Sequence, residues 1–267
     1  MALPDTAGQL VSTFRYCDGT QPVYQLGLAS RATVIDLATG GRRSDLSPSA
    51  YKITRSGSAL AIAPQDVSFA PDGVVNPATL ASGIAPGGLM TILGSGLAGP
   101  GGDTAVDVDG VAAQVVFQSP FRIHAQVPQD LAPGTHSMRV QSPYGSATQP
   151  VEVSAAAPAI YPGAVANQNG QMNGPLSAAV RGQSLTVYCT GLGAVIASGN
   201  LFRTQGAVSA VLNGVELGAS FAGLSPGLIG LYQVNFSVPL AAAPGLELPL
   251  MLREFERDSN TVFIAVQ

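Results

Sequence analysis

The 267-residue chain has few charged residues, a single lysine (Lys52) and no tryptophan. Only 10% of its residues are charged, its formal net charge is −4, and its longest basic run is Arg42-Arg43. This balance excludes the basic surface that binding to nucleic acid or to an anionic membrane requires. Charge-rich helical segments are also missing, whereas 32 glycines and 20 prolines are typical of short strands joined by turns. The composition therefore predicts an all-β chain.

Long apolar runs are also absent, because no uninterrupted run approaches the roughly 20 residues that a membrane-spanning helix needs. Apolar residues nevertheless make up 46% of the chain, and we expect them to be distributed over strands. Part of this apolar surface should reach the outside of the fold, which favours burial against a neighbouring domain or another copy. The first residues, MALPDTAGQL, lack the basic and long apolar regions of a secretion signal.

The two cysteines, Cys17 and Cys189, are too few for a disulfide framework, and no paired-cysteine spacing for a metal occurs. Cys189 alternates with Leu185 and Val187, so we interpret it as a small buried apolar residue of a strand. A bridge between the two cysteines requires their Cβ atoms to meet, and a sequence alone does not show whether they do. Whether they are free or bridged therefore stays open.

An internal repeat covers most of the chain after residue 85. The matching segments are APGGLMTILGSGL (85–97) with VRGQSLTVYCTGL (180–192), VDVDGVAAQVVF (106–117) with AVLNGVELGASF (210–221), and IHAQVPQDLAPG (123–134) with VNFSVPLAAAPG (234–245). The order of the segments is the same in both copies, and the insertions between them fall in predicted loops. This pattern predicts two homologous domains that arose by duplication.

Within each copy, alternating segments predict strands, and short dipeptides predict the turns between them. MTIL and LTVY alternate apolar and polar residues, as a half-buried strand requires. Asp109-Gly110 and Asn213-Gly214 lie at corresponding places between apolar runs and favour tight hairpin turns. Short strands with turn signals about every 8–12 residues favour immunoglobulin-like sandwiches.

The predicted fold is all-β, with tandem immunoglobulin-like β-sandwiches and a smaller N-terminal β unit. We place the N-terminal unit at residues 1–74, the first sandwich at 75–156 and the second at 157–267, with SAAAPAIYPGA (154–164) as the junction. The first 74 residues carry six of the 12 Lys and Arg residues. A free-standing sandwich of that length would be marginally stable, so these residues form either a small third unit or extra strands on the first sandwich.

Residues 85–153 resemble the IPT/TIG class of immunoglobulin-like domains through the segments PGGLMTILGSGL, DGVAAQVVF, RIHAQVP and APGTHSMRV. Over residues 75–267 the chain is similar to the Solibacter-type C-terminal domain family, an uncharacterised family of secreted acidobacterial proteins. The segments that carry this second resemblance include VVNPATLASGIAPGGLMTILGSGLAG, LTVYCTGLGAV and SNTVFIAV. The resemblance implies a tandem sandwich at the end of an exported protein, and it assigns no catalytic residue to these motifs.

Two motifs suggest ligand chemistry, but their surroundings favour structural roles. GSGLAG (94–99) satisfies the glycine pattern of dinucleotide sites, yet the residues after it cannot begin the helix that such a site needs. Asp103, Asp107 and Asp109 are carboxylates of the type that binds calcium, but their spacing does not fit the twelve-residue calcium loop. We interpret Asp109 as a turn residue and Asp107 as solvent-facing. We predict no cofactor and no metal, with weak calcium binding near these aspartates left open.

The two histidines, His124 and His136, lie on either side of Asp130 and suggest an acid–base or metal site. His124 alternates with Ile123 and Ala125, so it should face outward from a strand. Neither histidine recurs in the second copy, although the Ala-Pro-Gly turn between them does. Motifs of serine hydrolases, zinc proteases and phosphate-binding loops are absent from the sequence. We therefore predict that the chain is not an enzyme and that both histidines are incidental.

Glycosidases use paired carboxylates that converge in space, so a sequence alone does not exclude them. Glutamate is scarce in this chain, and Glu254 and Glu256 lie in the segment REFERDSN beside Arg253 and Arg257. We interpret this charged cluster as a solvated hairpin tip.

The strongest candidate for ligand binding is ANQNGQMNG (166–174), a run of amides around an Asn-Gly turn. The candidate binding residues are Asn167, Gln168, Asn169, Gln171 and Asn173. Amides suit sugar hydroxyls because each amide offers both a donor and an acceptor. Carbohydrate sites usually add an aromatic platform, which Tyr161, Tyr188 and Tyr232 would have to supply. The alternative, a polar hairpin loop without a ligand, is the commoner role of such a segment.

These observations predict a non-catalytic structural or adhesive protein of the cell surface or the extracellular space. It would act through contacts with other protein chains or with itself, including self-assembly into a polymer or filament. The alternative is a carbohydrate-binding module of a secreted protein, with an extracellular glycan as its partner. We predict neither nucleic-acid binding nor membrane insertion.

Overall fold

A computed structural model describes residues 66–99 and 103–267, together with the backbone of six strands before residue 65. Cys17 lies outside the described residues. The six early strands are β1 (Ala2–Pro4), β2 (Leu10–Thr13), β3 (Arg15–Tyr16), β4 (Val23–Gln25), β5 (Tyr51–Ser56) and β6 (Ala59–Pro64). Strands β1 and β2 pair with each other, and β3 to β6 form an antiparallel sheet in chain order. None of the described residues forms a helix that is long and apolar enough to cross a membrane.

The first sandwich contains seven strands. They are β7 (Ser68–Val75), β8 (Leu89–Ser95), β9 (Ala105–Val108), β10 (Val111–Ser119), β11 (Arg122–Gln126), β12 (Gly134–Ser142) and β13 (Gly145–Val153). One sheet has the order β7-β8-β11-β10, and the other has the order β13-β12-β9-β10. Strand β10 takes part in both sheets because its register shifts between Val115 and Phe117. This arrangement of two sheets that share a crossing strand is that of an immunoglobulin-like sandwich.

The second sandwich repeats this order with one additional hairpin. Its strands are β14 (Ala159–Asn167), β15 (Ser184–Thr190), β16 (Val195–Ser198), β17 (Leu201–Thr204), β18 (Val208–Leu212), β19 (Val215–Gly218), β20 (Phe221–Leu224), β21 (Tyr232–Ser237), β22 (Gly245–Glu254), β23 (Arg257–Asp258) and β24 (Val262–Val266). One sheet has the order β14-β15-β21-β20-β17-β16, and in the other β22 pairs with β18, β23 and β24. The additional hairpin is β16–β17, which lies at the edge of the first of these sheets.

The predicted fold class, tandem immunoglobulin-like sandwiches with a smaller N-terminal β unit, is confirmed. Each sandwich has its own core of alternating strand residues, for example Met90 and Ile92 in β8 and Leu185 and Val187 in β15. Strand β7 pairs with β8, so residues 68–75 belong to the first sandwich. This strand begins before the expected boundary at residue 75, and the division into three domains itself stays a prediction.

Two tight turns lie at the same place in the two sandwiches. Asp109 and Gly110 have φ angles of 50° and 79°, and Asn213 and Gly214 have angles of 47° and 81°. Positive φ at both central residues defines the hairpin turn whose twist matches that of the flanking strands. These dipeptides join β9 to β10 and β18 to β19, as their sequences indicate.

Glu254 lies inside the second sandwich, so its assignment to a solvated hairpin tip was wrong. It follows Leu250 and Leu252 on the inward-facing side of β22 and is only 1% exposed. Neither of its carboxylate oxygens has a hydrogen-bond partner within the described part of the chain. Burial raises the pKa of Glu254 to about 8. Because strand β22 extends to Glu254, the alternation of the strand places this carboxyl group in the core.

Cys189 is also part of this core. It is a free thiol that is fully buried, and burial raises its pKa. Burial raises the pKa of the nearby Tyr232 as well, and the charges of Cys189 and Glu254 would act in the same direction. The core of the second sandwich thus holds three titratable groups that are stable there in their neutral forms.

We expect the Glu254→Gln variant to gain stability over the wild type as the pH rises. The pKa of Glu254 is about 8 in the folded state against 4.5 for the free side chain. Folding carries no penalty from this group below the lower value, and the penalty grows until the pH exceeds the upper one. The difference should grow by up to about 1.4 kcal/mol per pH unit in this interval. Urea unfolding at several pH values measures it.

Glu247→Gln provides the matched control, because Glu247 is exposed. This variant should follow the wild-type pH dependence. Equal pH dependence of the Glu254→Gln variant and the wild type would show that the buried carboxyl group is not neutral in the folded protein.

Candidate functional site

The two sandwiches are joined by hydrogen bonds across a short linker. The backbone amide of Ala157 in the linker donates to the carbonyl oxygen of Gly191 at 2.7 Å. The side-chain amide of Asn76, in the first sandwich, donates to the carbonyl oxygen of Ala157 at 3.3 Å. The backbone amide of Leu89 donates to the Oγ1 atom of Thr190 at 2.8 Å. These bonds connect both sandwiches to the linker and to each other.

Tyr232 occupies the centre of this junction. Its side chain is fully buried, and its hydroxyl lies 2.6 Å from the carbonyl oxygen of Gly193 and 3.2 Å from that of Pro86. Pro86 belongs to the first sandwich and Gly193 to the second, so one hydroxyl contacts both. A Cβ atom on Gly191 would lie 2.1 Å from the carbonyl oxygen of Ala157, so the approach of the chains there requires glycine. The junction is therefore closely packed, and the Tyr232 hydroxyl within it is paired.

A groove of about 700 Å³ lies at the junction. Its wall from the first sandwich contains Gln126, Gln129 and Asp130. The opposite wall is formed by the β16–β17 hairpin and by the loop between β20 and β21. Phe202 and Leu228 in this wall are 51% and 54% exposed. The groove thus combines a few polar groups with large apolar side chains that reach solvent.

A second cleft, of about 570 Å³, also takes residues from both sandwiches. The first sandwich contributes Leu80, Val116, Arg122 and His124, and the second contributes Tyr161. We call this the Leu80 cleft. Burial raises the pKa of Tyr161 to about 12, so its hydroxyl stays neutral at physiological pH. The cleft therefore has apolar side chains next to the guanidinium group of Arg122.

Neighbouring side chains fix the basic groups of the Leu80 cleft. The Nδ1 atom of His124 lies 2.8 Å from the Oγ1 atom of Thr91, which is buried. The guanidinium of Arg122 lies 5.1 Å from the centre of the Phe117 ring, within the range of a cation–π contact. Burial and the charge of Arg122 lower the pKa of His124. The fixed positive charge of the cleft therefore comes from Arg122.

The two histidines lie on different sheets and form no common site. His124 is in β11, whereas His136 is in β12 and lies 2.7 Å from a carboxylate oxygen of Asp109 and 2.8 Å from the carbonyl oxygen of Ala132. The hydrogen bond to Asp109 raises the pKa of His136. The pKa of Asp109 is lowered by the amide of Ser137 and by His136. His136 thus supports the β9–β10 turn, and Asp130 lines the groove instead.

The three aspartates of the possible calcium site have different surroundings. Asp103 is exposed before β9. A carboxylate oxygen of Asp107 lies 2.8 Å from the Nε atom of Arg139, and Asp109 accepts the bonds from Ser137 and His136. Within residues 66–99 and 103–267, no three acidic, histidine or cysteine side chains are grouped as metal ligands.

The five amides at 167–173 bond mainly to their own loop and its neighbours. The Nδ2 atom of Asn167 donates to the carbonyl oxygen of Ser177 at 2.7 Å. Asn173 donates to the carbonyl oxygen of Ala265 in β24 and accepts from its amide. Asn169 and Gln171 bond to each other. These bonds show how the loop is held against β24, while a carbohydrate site here stays a prediction.

Gln168 and the three tyrosines are the remaining residues of the predicted carbohydrate site. The side-chain oxygen of Gln168 accepts a hydrogen bond from the amide of Ser184 at 3.0 Å. Tyr232 is buried at the junction and Tyr161 lines the Leu80 cleft, while Tyr188 lies in β15. The expectation that Tyr232 could provide an aromatic platform was wrong, because its ring is enclosed in the core.

Removal of the Tyr232 hydroxyl should weaken the junction. We expect the Tyr232→Phe variant to lose about 1–2 kcal/mol of unfolding free energy, because the single hydroxyl proton is shared between the carbonyl oxygens of Gly193 and Pro86 and its hydrogen bond at 2.6 Å would be lost. Urea unfolding measures this loss. Tyr188→Phe is the control, since Tyr188 is only half-buried. Equal losses in the two variants would contradict a special role for the Tyr232 hydroxyl.

No family model matches the chain, and no curated protein matches it. Similar solved structures include the SGBP-B from a complex xyloglucan utilization locus in Bacteroides uniformis, at 14% identity and a TM-score of 0.28, with 74% of this chain and 49% of that chain covered. The tandem Ig repeats of Dlar are 12% identical, with a TM-score of 0.25 and coverage of 76% and 98%. The I9–I11 tandem from titin is 10% identical, with a TM-score of 0.23 and coverage of 97% and 92%. The chain spans about half the length of the Bacteroides protein.

Proposed function

We propose that this protein is a non-catalytic structural or adhesive β-sandwich protein that acts through protein–protein contacts, including contacts with further copies of itself. We place it at the cell surface or in the extracellular space, in keeping with its resemblance to the IPT/TIG class and to the Solibacter-type family. The observation that carries the proposal is the junction, where a polar, closely packed centre is flanked by two clefts with exposed apolar side chains.

The hydrogen bonds at the junction support a role that needs a fixed shape. Tandem domains on an unconstrained linker move relative to each other, and their surfaces lose definition. Here the linker residue Ala157 is bonded on both sides, and Tyr232 reaches carbonyl groups of both sandwiches. Surfaces built from both sandwiches can therefore bind a partner without first being ordered, which lowers the cost of binding.

The exposed apolar side chains near the junction support contact with protein. Phe202 and Leu228 reach solvent in the groove, and Leu80 and Val116 do so in the Leu80 cleft. Leu80 is 66% exposed and Val116 is 43% exposed. Grouped apolar surface with a polar rim is the usual composition of a protein-binding site. The surfaces carry few charges, which keeps the cost of removing water low.

Light scattering after size-exclusion chromatography tests the proposal. We expect the mean mass of the wild type to increase between about 1 μM and about 1 mM, the range of weak to moderate association. The Phe202→Asp variant should reduce this increase, because it places a charge in the apolar groove. Leu176→Asp is the control, since Leu176 is fully exposed and lines neither the groove nor the Leu80 cleft.

A wild type that remains a monomer at every concentration would contradict self-association. If the same protein then bound a neutral glycan on an array, and Asn169→Ala abolished the signal, the carbohydrate-binding alternative would replace the proposal.

A further inference from the structure

Bulky residues adopt a strained backbone at two exposed places. Within the described residues, the positions other than glycine with positive φ are Asp72, Leu80, Asp109, Asn213, Phe255 and Glu256. Aspartate and asparagine tolerate this conformation, whereas leucine, phenylalanine and glutamate rarely adopt it. Leu80 and Phe255 are 66% and 57% exposed, although the Phe255 ring also lies against Gly206 of its own chain. Strain of this kind is concentrated at functional sites.

The turn at Phe255-Glu256 can be compared with two others in the same chain. It joins β22 to β23, and its φ angles of 47° and 60° resemble those at Asp109-Gly110 and Asn213-Gly214. Those two turns have the residues that the geometry favours. The third has an aromatic and an acidic residue instead; both are exposed, and the Phe255 ring lies against Gly206. The composition of this turn is therefore costly for the fold.

Leu80 is the residue of the Leu80 cleft that has a positive φ angle, of 56°. Its amide donates to the carbonyl oxygen of Asn76 at 2.8 Å, which closes a helix-like turn. Glycine is the usual residue where such a turn ends with positive φ. The leucine side chain instead lies at the cleft beside Val116 and Arg122. Arg122 forms no ion pair with an acidic residue among those that the structure describes, and its guanidinium remains available above Phe117.

The turn and the cleft are complementary in charge and polarity. The turn presents an exposed phenylalanine next to Glu256, which forms no ion pair in the described part of the chain, although its charge helps to raise the pKa of Arg253. The cleft presents exposed apolar side chains next to Arg122. Phe255 does not line the cleft of its own chain, so this turn can enter such a cleft only in a second copy.

We propose that the Phe255-Glu256 turn of one copy binds in the Leu80 cleft of another, where the Glu256 carboxylate pairs with the Arg122 guanidinium. Phe255 then covers the apolar side chains of Leu80 and Val116. The proposal rests on the self-association described under the proposed function, and it adds a second pair of contacting surfaces to the groove around Phe202. These surfaces differ, so the contact is heterologous. A heterologous contact closes as a small ring or continues as a filament.

Exchange of the two charges tests this contact. At low ionic strength, Arg122→Glu and Glu256→Arg should each weaken association at least about tenfold in light scattering, because each brings like charges together. The double variant restores opposite charges and should recover most of the wild-type affinity. Arg181→Glu and Glu247→Arg make the same charge changes at exposed positions elsewhere and should have little effect.

A second variant separates binding from folding. Leu80→Gly removes the apolar side chain and relieves the strained backbone, so it should keep or raise the melting temperature while it weakens association. If it lowers the melting temperature and leaves association unchanged, the leucine serves the fold and the proposed contact is wrong.

The outcomes distinguish this inference from the proposed function. If the wild type associates and the double variant does not recover affinity, the contact is wrong and self-association stands. If the wild type is monomeric, both are wrong. If Arg122→Glu abolishes binding of an acidic oligosaccharide but leaves the mass unchanged, the cleft is a saccharide site and the contact between copies is overturned.

Discussion

The buried hydroxyl of Tyr232 must find a hydrogen-bond acceptor between the two sandwiches, because an unpaired hydroxyl in a core costs about 1–3 kcal/mol. The nearby acceptors are the carbonyl oxygens of Gly193 and Pro86, one from each sandwich. The same ring packs in the core of the second sandwich. The position of one sandwich against the other is thereby linked to core packing, and the groove and the Leu80 cleft take their shape from this link.

The fold was accessible from the sequence because its signals are local. Residues at 109–110 and 213–214 favour positive φ, and alternation in MTIL and LTVY marks strands that proved to be β8 and β15. The repeat strengthened the prediction of strands and turns, because each segment occurs twice and in the same order. The sequence signals predicted the strands and turns of each sandwich, but they did not predict the contacts between the two sandwiches.

The wrong predictions for Glu254 and Tyr232 have a physical origin in how side chains alternate between the two faces of a strand. Glu254 looked solvated because it stands among arginines, yet β22 continues one residue pair beyond its apolar run and keeps the inward phase. Tyr232 looked like an available ring because strand position alone does not say which face meets a neighbouring domain. Leu80, Arg122 and Phe255 went unnoticed for a related reason. The significance of Leu80 and Phe255 lies in positive φ and in exposure, and that of Arg122 lies in its place in the cleft, all of which depend on where the chain turns in three dimensions.

The positions with strained backbone and the closely packed junction are both explained if the protein needs surfaces of fixed shape. Two sandwiches that are held firmly can display short turns and clefts at fixed places, and the cost of residues such as Phe255 in an unfavourable turn is carried by the stability of the sheets around them. Loops at the ends of a sandwich are where such proteins commonly place their contacts.

The central claim is that the junction holds the two sandwiches as one body, and residual dipolar couplings measured on the dilute full chain test it most directly. The account predicts that a single alignment tensor fits the backbone amides of residues 66–99 and 103–153 together with those of residues 159–266. Two tensors that differ in magnitude and orientation would show that the sandwiches move independently, and they would contradict the account.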